Sequence, residues 1–228
     1  MNYTQLSAAI SAYTENTEQD FLDEIPVFVK QAEQRIYNTV QFPSLRKNMT
    51  GNVSTTSKYL NAPDDYLATY SLAVITDVVG GDLNTGTYEF LLNKDVNFIR
   101  QAYPTPNDKG TPRYYALFGP TVNGVAITTD LTFIIGPSPD QNYDVELHYY
   151  YYPESIVTAG TTWLGDNFDS VLLYGSLVEA YTYMKGEADI MALYNGKYQE
   201  ALALAKRLGD GMERQDAYRS GQFRQKVT

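Results

Sequence analysis

Few residues in this chain could carry acid–base or nucleophilic chemistry. It has one histidine, His148, and no cysteine. A Ser-His-Asp arrangement would rest wholly on His148, and no G-x-S-x-G turn accompanies it. His148 falls in Leu147-His148-Tyr149-Tyr150-Tyr151-Tyr152, which reads as a strand with His148 on its solvated face. Asp64-Asp65 offers the two carboxylates that glycoside hydrolysis needs. Neighbours on an extended backbone point to opposite sides, however, and a turn after Pro63 accounts for both. Gly80-Gly81-Asp82 lacks the Walker spacing and the Lys-Ser/Thr of a phosphate loop. Without cysteine there is no disulfide framework, no thiolate nucleophile and no Cys-based zinc site. The expectation is no catalytic residue, no cofactor and no metal site.

Aromatic and basic side chains remain. The chain has 21 tyrosines, whose apolar rings and polar tips suit solvated sheets and protein interfaces. An aromatic sheet could also stack sugars or bases. A net charge of −10 and a pI near 4.5 argue against a protein that grips nucleic acid over its whole surface. They fit a surface that DNA must pass without sticking. The local exception is 211–228. There Arg214, Arg219, Arg224 and Lys226 stand against Glu213 and Asp216, a net +2, with Tyr218 and Phe223 as aromatic anchors. Apolar periodicity fails after Gly209, so 211–228 reads either as a frayed terminus or as an arm that orders on a partner.

The elements that must position these groups follow from hydrophobic period. Leu6, Ala9, Ile10 and Tyr13 predict a short helix within 1–14. Phe21, Ile25, Phe28, Val29, Ala32, Ile36 and Val40 predict a longer one over 17–40. Pro26 either kinks it or divides it in two. From 48 to 153 the period becomes two, punctuated by Gly, Asn, Asp and Pro. Expected strands are 48–54, 59–60, 67–79, 87–91, 113–118, 125–129, 131–135 and 143–152. Turns are expected at Gly80-Gly81 and Val122-Asn123-Gly124, and one or two helical turns within 93–101. The period of 3.6 then returns. Helices over 167–184 and 187–208 form an antiparallel hairpin, with Asp166 as N-cap of the first and Gly209 as C-cap of the second. No apolar run approaches the roughly 20 residues of a membrane span, and 1–10 shows no signal peptide.

The fold class expected is α+β. N- and C-terminal helices form one bundle around an inserted antiparallel β-barrel or sandwich, followed by an extended C-terminal arm. The divisions are 1–46 for the N-terminal helices, 47–155 for the β-rich insertion, 156–209 for the helical hairpin and 210–228 for the arm.

Several stretches, in order along the chain, resemble the head-to-tail adaptor proteins of tailed bacteriophages, the group that includes tail tubular protein A of short-tailed phages. They are Phe28-Val29-Lys30-Gln31-Ala32-Glu33-Gln34-Arg35-Ile36 with Pro43-Ser44-Leu45-Arg46; Ala62-Pro63-Asp64-Asp65-Tyr66-Leu67; Arg113-Tyr114-Tyr115-Ala116-Leu117-Phe118-Gly119; Pro137-Ser138-Pro139; the Leu147–Pro153 run; and Trp163-Leu164 leading into Leu172-Leu173-Tyr174-Gly175-Ser176-Leu177-Val178-Glu179-Ala180. The resemblance implies a non-enzymatic virion protein, made in the host cytoplasm. It implies a homo-oligomeric ring, usually of twelve copies, beneath the portal protein and above a tail tube or nozzle protein, with double-stranded DNA passing through. It implies no membrane partner. It places the portal contact on the arm, at Arg214, Tyr218, Arg219, Phe223, Arg224 and Lys226. The rival readings are a carbohydrate- or receptor-binding tail module and, behind it, a cell-wall hydrolase carried in the virion.

Overall fold

Two helices open the chain, α1 (Tyr3–Thr14) and α2 (Gln19–Thr39). A β-rich stretch follows: β1 (Arg46–Val53), β2 (Tyr59–Asn61), β3 (Tyr66–Thr76), β4 (Thr87–Phe90), β5 (Leu92–Asn93), the short helix α3 (Val96–Ala102), β6 (Tyr114–Leu117), β7 (Val122–Asn123), β8 (Ala126–Ile127), β9 (Thr132–Gly136) and β10 (Tyr143–Tyr151). Four helices close it: α4 (Ile156–Ala159), α5 (Trp163–Asn167), α6 (Asp169–Tyr183) and α7 (Ala188–Glu213). The computed structural model describes residues 1–119, 122–123, 126–127 and 131–213. They divide into a helical unit, Met1–Leu45 with the chain from Pro153 onward, and a β unit, Arg46–Tyr152. The α+β class holds, and both chain ends contribute to one set of helices.

In the helical unit α6 is central and packs against α1, α2 and α7. Asn2 and Gln5 cap α1 reciprocally, each side chain accepting from the other's backbone amide. Helix α2 runs unbroken through Pro26. A proline in mid-helix costs ~3 kcal/mol. Phe21, Ile25, Phe28, Val29, Ala32 and Ile36 are all buried, and each large side chain returns roughly 1.5–3 kcal/mol, so packing outweighs the lost bond. Gly175 of α6 permits the close fit: a Cβ there would lie 3.2 Å from both Ala32 Cβ and the Tyr198 ring.

Two helix ends differ from the expected ones. Asp166 caps nothing. It lies within α5, whose cap is the Thr162 hydroxyl accepting from the Gly165 amide at 3.2 Å, and its carboxylate is 4.0 Å from the Met1 amino group. Helix α6 starts after Phe168, which has no capping side chain; its ring packs against Phe42 and Trp163 instead. Gly209 does not end α7, which continues to Glu213. A helical glycine costs only about 1 kcal/mol. Here the missing Cβ has a use, since it would stand 3.2 Å from the Gln41 carbonyl oxygen. Glu33 of α2 is buried and accepts from the Ile156 amide at 2.9 Å and from the Ser155 side chain, fixing α4 against α2. Burial pushes its carboxyl above the usual range, against the pull of those bonds and of Lys30.

The β unit is a sandwich. One sheet has the order β1-β10-β3-β4, antiparallel throughout. The other has the order β2-β9-β6-β5, antiparallel except for the parallel β5–β6 pair. Leu72, Val74, Val145, Leu147 and Tyr149 from the first meet Tyr115, Phe133 and Ile135 from the second in one core. Strand β10 alternates from Tyr143 to Tyr149, with Val145, Leu147 and Tyr149 inward, and Tyr150 of the opposite set is buried too. Helix α3 covers the far side of the second sheet, Ile99 packing on Ala116 and Ile134. Val122-Asn123 is strand β7 rather than part of a turn; it pairs with β8 in a separate hairpin. Two residues are too few to show a period, which also hides β5 in the sequence. The arm residues Arg214, Tyr218, Arg219, Phe223, Arg224 and Lys226 lie outside the described residues.

Candidate functional site

His148 stands on the outer face of the first sheet, between Asn48 on β1 and Ser71 on β3. Its neighbours are aromatic and charged. Tyr70 meets its ring edge-on at 5.3 Å. The Arg46 guanidinium lies 3.8 Å from the centre of the Tyr70 ring and 4.9 Å from that of Tyr150, and donates to the Tyr150 hydroxyl at 2.6 Å. Burial and the Arg46 charge hold the imidazole below its ordinary pKa, with Glu146 opposing them. Arg46 joins β1, β3 and β10 through two rings that stand at 78° to each other, and cation–ring contacts of this kind are worth on the order of 1–2 kcal/mol when partly desolvated. Ser71 faces His148 in register, yet no hydrogen bond links their side chains. Sequence reasoning placed His148 correctly and missed Arg46. The signal was its position at the first residue of a strand beside an alternating tyrosine strand.

Asp65 is also engaged in structure. Its carboxylate receives the Lys47 ammonium at 2.5 Å and the Tyr149 hydroxyl at 2.8 Å. Asp64 is exposed in the turn. The two carboxylates therefore do not converge on a common point. Gly80 and Gly81 have φ of 65° and 80°, which L side chains rarely adopt, and Asp82 caps the short 3-10 turn Leu83–Thr85 by accepting from the Asn84 amide. Turn chemistry explains all three. A shallow cavity beside β1 is lined by Met49, Gly51, Leu60, Val145 and Leu147, with Thr50 and Asn61, and none of these titrates. Among the described residues no group of three or more His, Cys, Asp or Glu side chains could hold a metal ion. No described helix is long and apolar enough to cross a membrane.

What the described surface offers is area for contact. In the helical unit α7 exposes Leu193, Leu204 and Leu208. In the β unit Val79, Phe90, Leu92 and Met49 are exposed. Comparison with known families gives the context, for the SU10 adaptor protein family matches residues 1–225, almost the whole chain. The chain belongs to the SU10 adaptor protein family. This is a family of structural bacteriophage proteins of the head–tail adaptor kind. No curated protein matches the chain. An SU10 adaptor works in contact with other virion components. The tyrosines have two settings in it. Some weld strands, as Tyr70 and Tyr150 do around Arg46. Others join helices: Tyr174 and Tyr181 of α6 and Tyr13 of α1 gather about Tyr194 of α7. Burial and the Tyr181 contact lift the Tyr194 hydroxyl to about 12.

Proposed function

We propose that this chain is the subunit of a head-to-tail adaptor ring, of the kind represented by tail tubular protein A, joining the DNA-filled head to the tail. The observation that carries the reading is the family match over residues 1–225. In this reading about twelve copies sit below the portal protein. The helical unit contacts its neighbours, the β unit faces the tail tube or nozzle, and 214–228 reaches the portal through Arg214, Tyr218, Arg219, Phe223, Arg224 and Lys226. Double-stranded DNA passes through without sequence recognition. A net charge of −10 supports that passage, because an acidic wall releases no counterions from the phosphate backbone and so does not hold it. The role has no catalytic step and needs no cofactor.

Deletion of 214–228 tests the reading. The expected product melts like the intact chain but no longer binds portal-bearing heads, which then leak DNA. Unchanged binding by the truncated chain would move the portal contact to the helical unit. Failure of both chains to bind such heads would remove the adaptor reading itself.

A further inference from the structure

The first sheet of the β unit ends in two strands, β1 and β4, with no strand paired beyond either among the described residues. All four residues of β4 are exposed, as are Lys47, Asn48, Met49 and Thr50 of β1. Natural sheets blunt such edges with lysine, proline, bulges or a covering loop. Strand β4 has none of the first three and instead shows Tyr88 and Phe90, after which the chain runs directly into exposed Leu92 at the edge of the second sheet. Phe90 is 66 % and Leu92 61 % exposed. The Leu91 amide donates to the Leu72 carbonyl at 2.8 Å, so by alternation Glu89 also faces β3. The backbone amides and carbonyls of Tyr88 and Phe90 then point away from the sheet, free to pair.

We propose that β4 of one copy pairs with β1 of the next, continuing the sheet from subunit to subunit. The inference rests on the ring reading above and names the contact. Strand directions select the partner. Three successive antiparallel junctions, β1–β10, β10–β3 and β3–β4, leave β4 antiparallel to β1. A second copy set head-to-tail therefore brings its β1 beside β4 in antiparallel sense, with inner and outer faces kept in line. The contact uses two different surfaces, the kind that makes a ring where the rotation between copies closes.

Charge agrees. Strand β1 holds Arg46 and Lys47 and no carboxylate; β4 holds Glu89 and no cation. Glu89 shares the inner face with Val74, and Lys47 shares it with Tyr149. Setting Glu89 opposite Lys47 also sets Tyr88 opposite Asn48 and Phe90 opposite Arg46, on the outer face. Two β4 strands paired with each other would instead gather two Glu89 carboxylates on one face.

The chain has no cysteine, so introduced ones report without ambiguity. Asn48→Cys with Tyr88→Cys in one chain places thiols at directly opposed positions of this register. In particles assembled from that variant, oxidation is expected to give a ladder of covalent multimers, which neither single variant gives. Phe90→Lys supplies a second measurement. At so exposed a site it should leave the melting temperature unchanged and lower self-association at least tenfold, because it meets Arg46. Rings that form without a ladder overturn the pairing and leave the adaptor reading standing, and so does a dimer from Tyr88→Cys alone. Ring assembly by Phe90→Lys at wild-type level also overturns it. A wild-type chain that never enters particles overturns both.

Discussion

Asp65 holds three distant segments together. Its carboxylate takes the Lys47 ammonium and the Tyr149 hydroxyl, and its backbone carbonyl takes the Tyr152 amide at 2.8 Å. Burial alone would raise its pKa, but the Lys47 and Tyr149 bonds outweigh burial and hold it below the ordinary value of 3.8. Burial, with Asp65 beneath it, drives Tyr149 the other way, to about 12. For a depressed carboxyl the stabilisation is fully present above the unfolded pKa and is lost as pH falls through the folded one. Asp65→Asn keeps an acceptor for Tyr149 and removes the charge facing Lys47. The pair is partly exposed, so the expected cost is only about 1 kcal/mol at pH 7. It should shrink toward zero at a pH well below the ordinary carboxylate range, as the lowered folded pKa is passed. Urea melts at both pH values would check this, and an equal deficit at each would assign the effect to shape rather than charge. The turn at Pro63-Asp64-Asp65 was legible in the sequence; its partners, 18 and 84 residues away from Asp65, were not, because only tertiary pairing of β1 and β10 brings them near.

Helix α6 is held by contacts on three sides, and Gly175 is where they come closest. Gly175→Ala sets two effects against each other. Helix propensity would gain about 1 kcal/mol. A Cβ 3.2 Å from Ala32 and from the Tyr198 ring must push α2 or α7 outward, at a cost of roughly 1–3 kcal/mol. Tyr198 is almost wholly buried and cannot swing away, so net destabilisation is expected in thermal melts. Removing bulk should cost more: Leu172→Ala and Leu202→Ala empty buried sites, each at ~2–5 kcal/mol. A gain in stability for Gly175→Ala would show that the helices can separate freely. The apolar stripes of all three helices were readable from their 3.6-residue period. Their ends were not, since Phe168 starts α6 by packing on Phe42 and Gly209 sits inside α7 against the Gln41 carbonyl. Caps chosen by residue type lost to burial in both cases.

At the scale of the molecule, the nested order of helices around strands was legible because period 3.6 gives way to period 2 and then returns. Which strands pair was not, because β1 and β10 are neighbours in space and nearly a hundred residues apart in sequence. That pairing has a kinetic consequence. Arg46, the first residue of the β unit, lies opposite Tyr150, near its last. Until the insertion folds, α2 and α6 must find each other across about 130 residues of chain. Once β1 zips to β10, they are joined as if by a link of about 20 residues. The scaling of closure entropy with length puts the difference on the order of 1.5 kcal/mol. The insertion should therefore fold first and carry the helices together. Trp163, the one tryptophan, packs against Phe42 and Phe168 in the helical unit, so its fluorescence follows that unit alone. Val145→Ala, in the sandwich core, should slow the Trp163 refolding phase, while Leu172→Ala should leave the rate of amide protection in β1 and β10 unchanged. The inserted unit then acts on the helices as a chaperone encoded within their own chain.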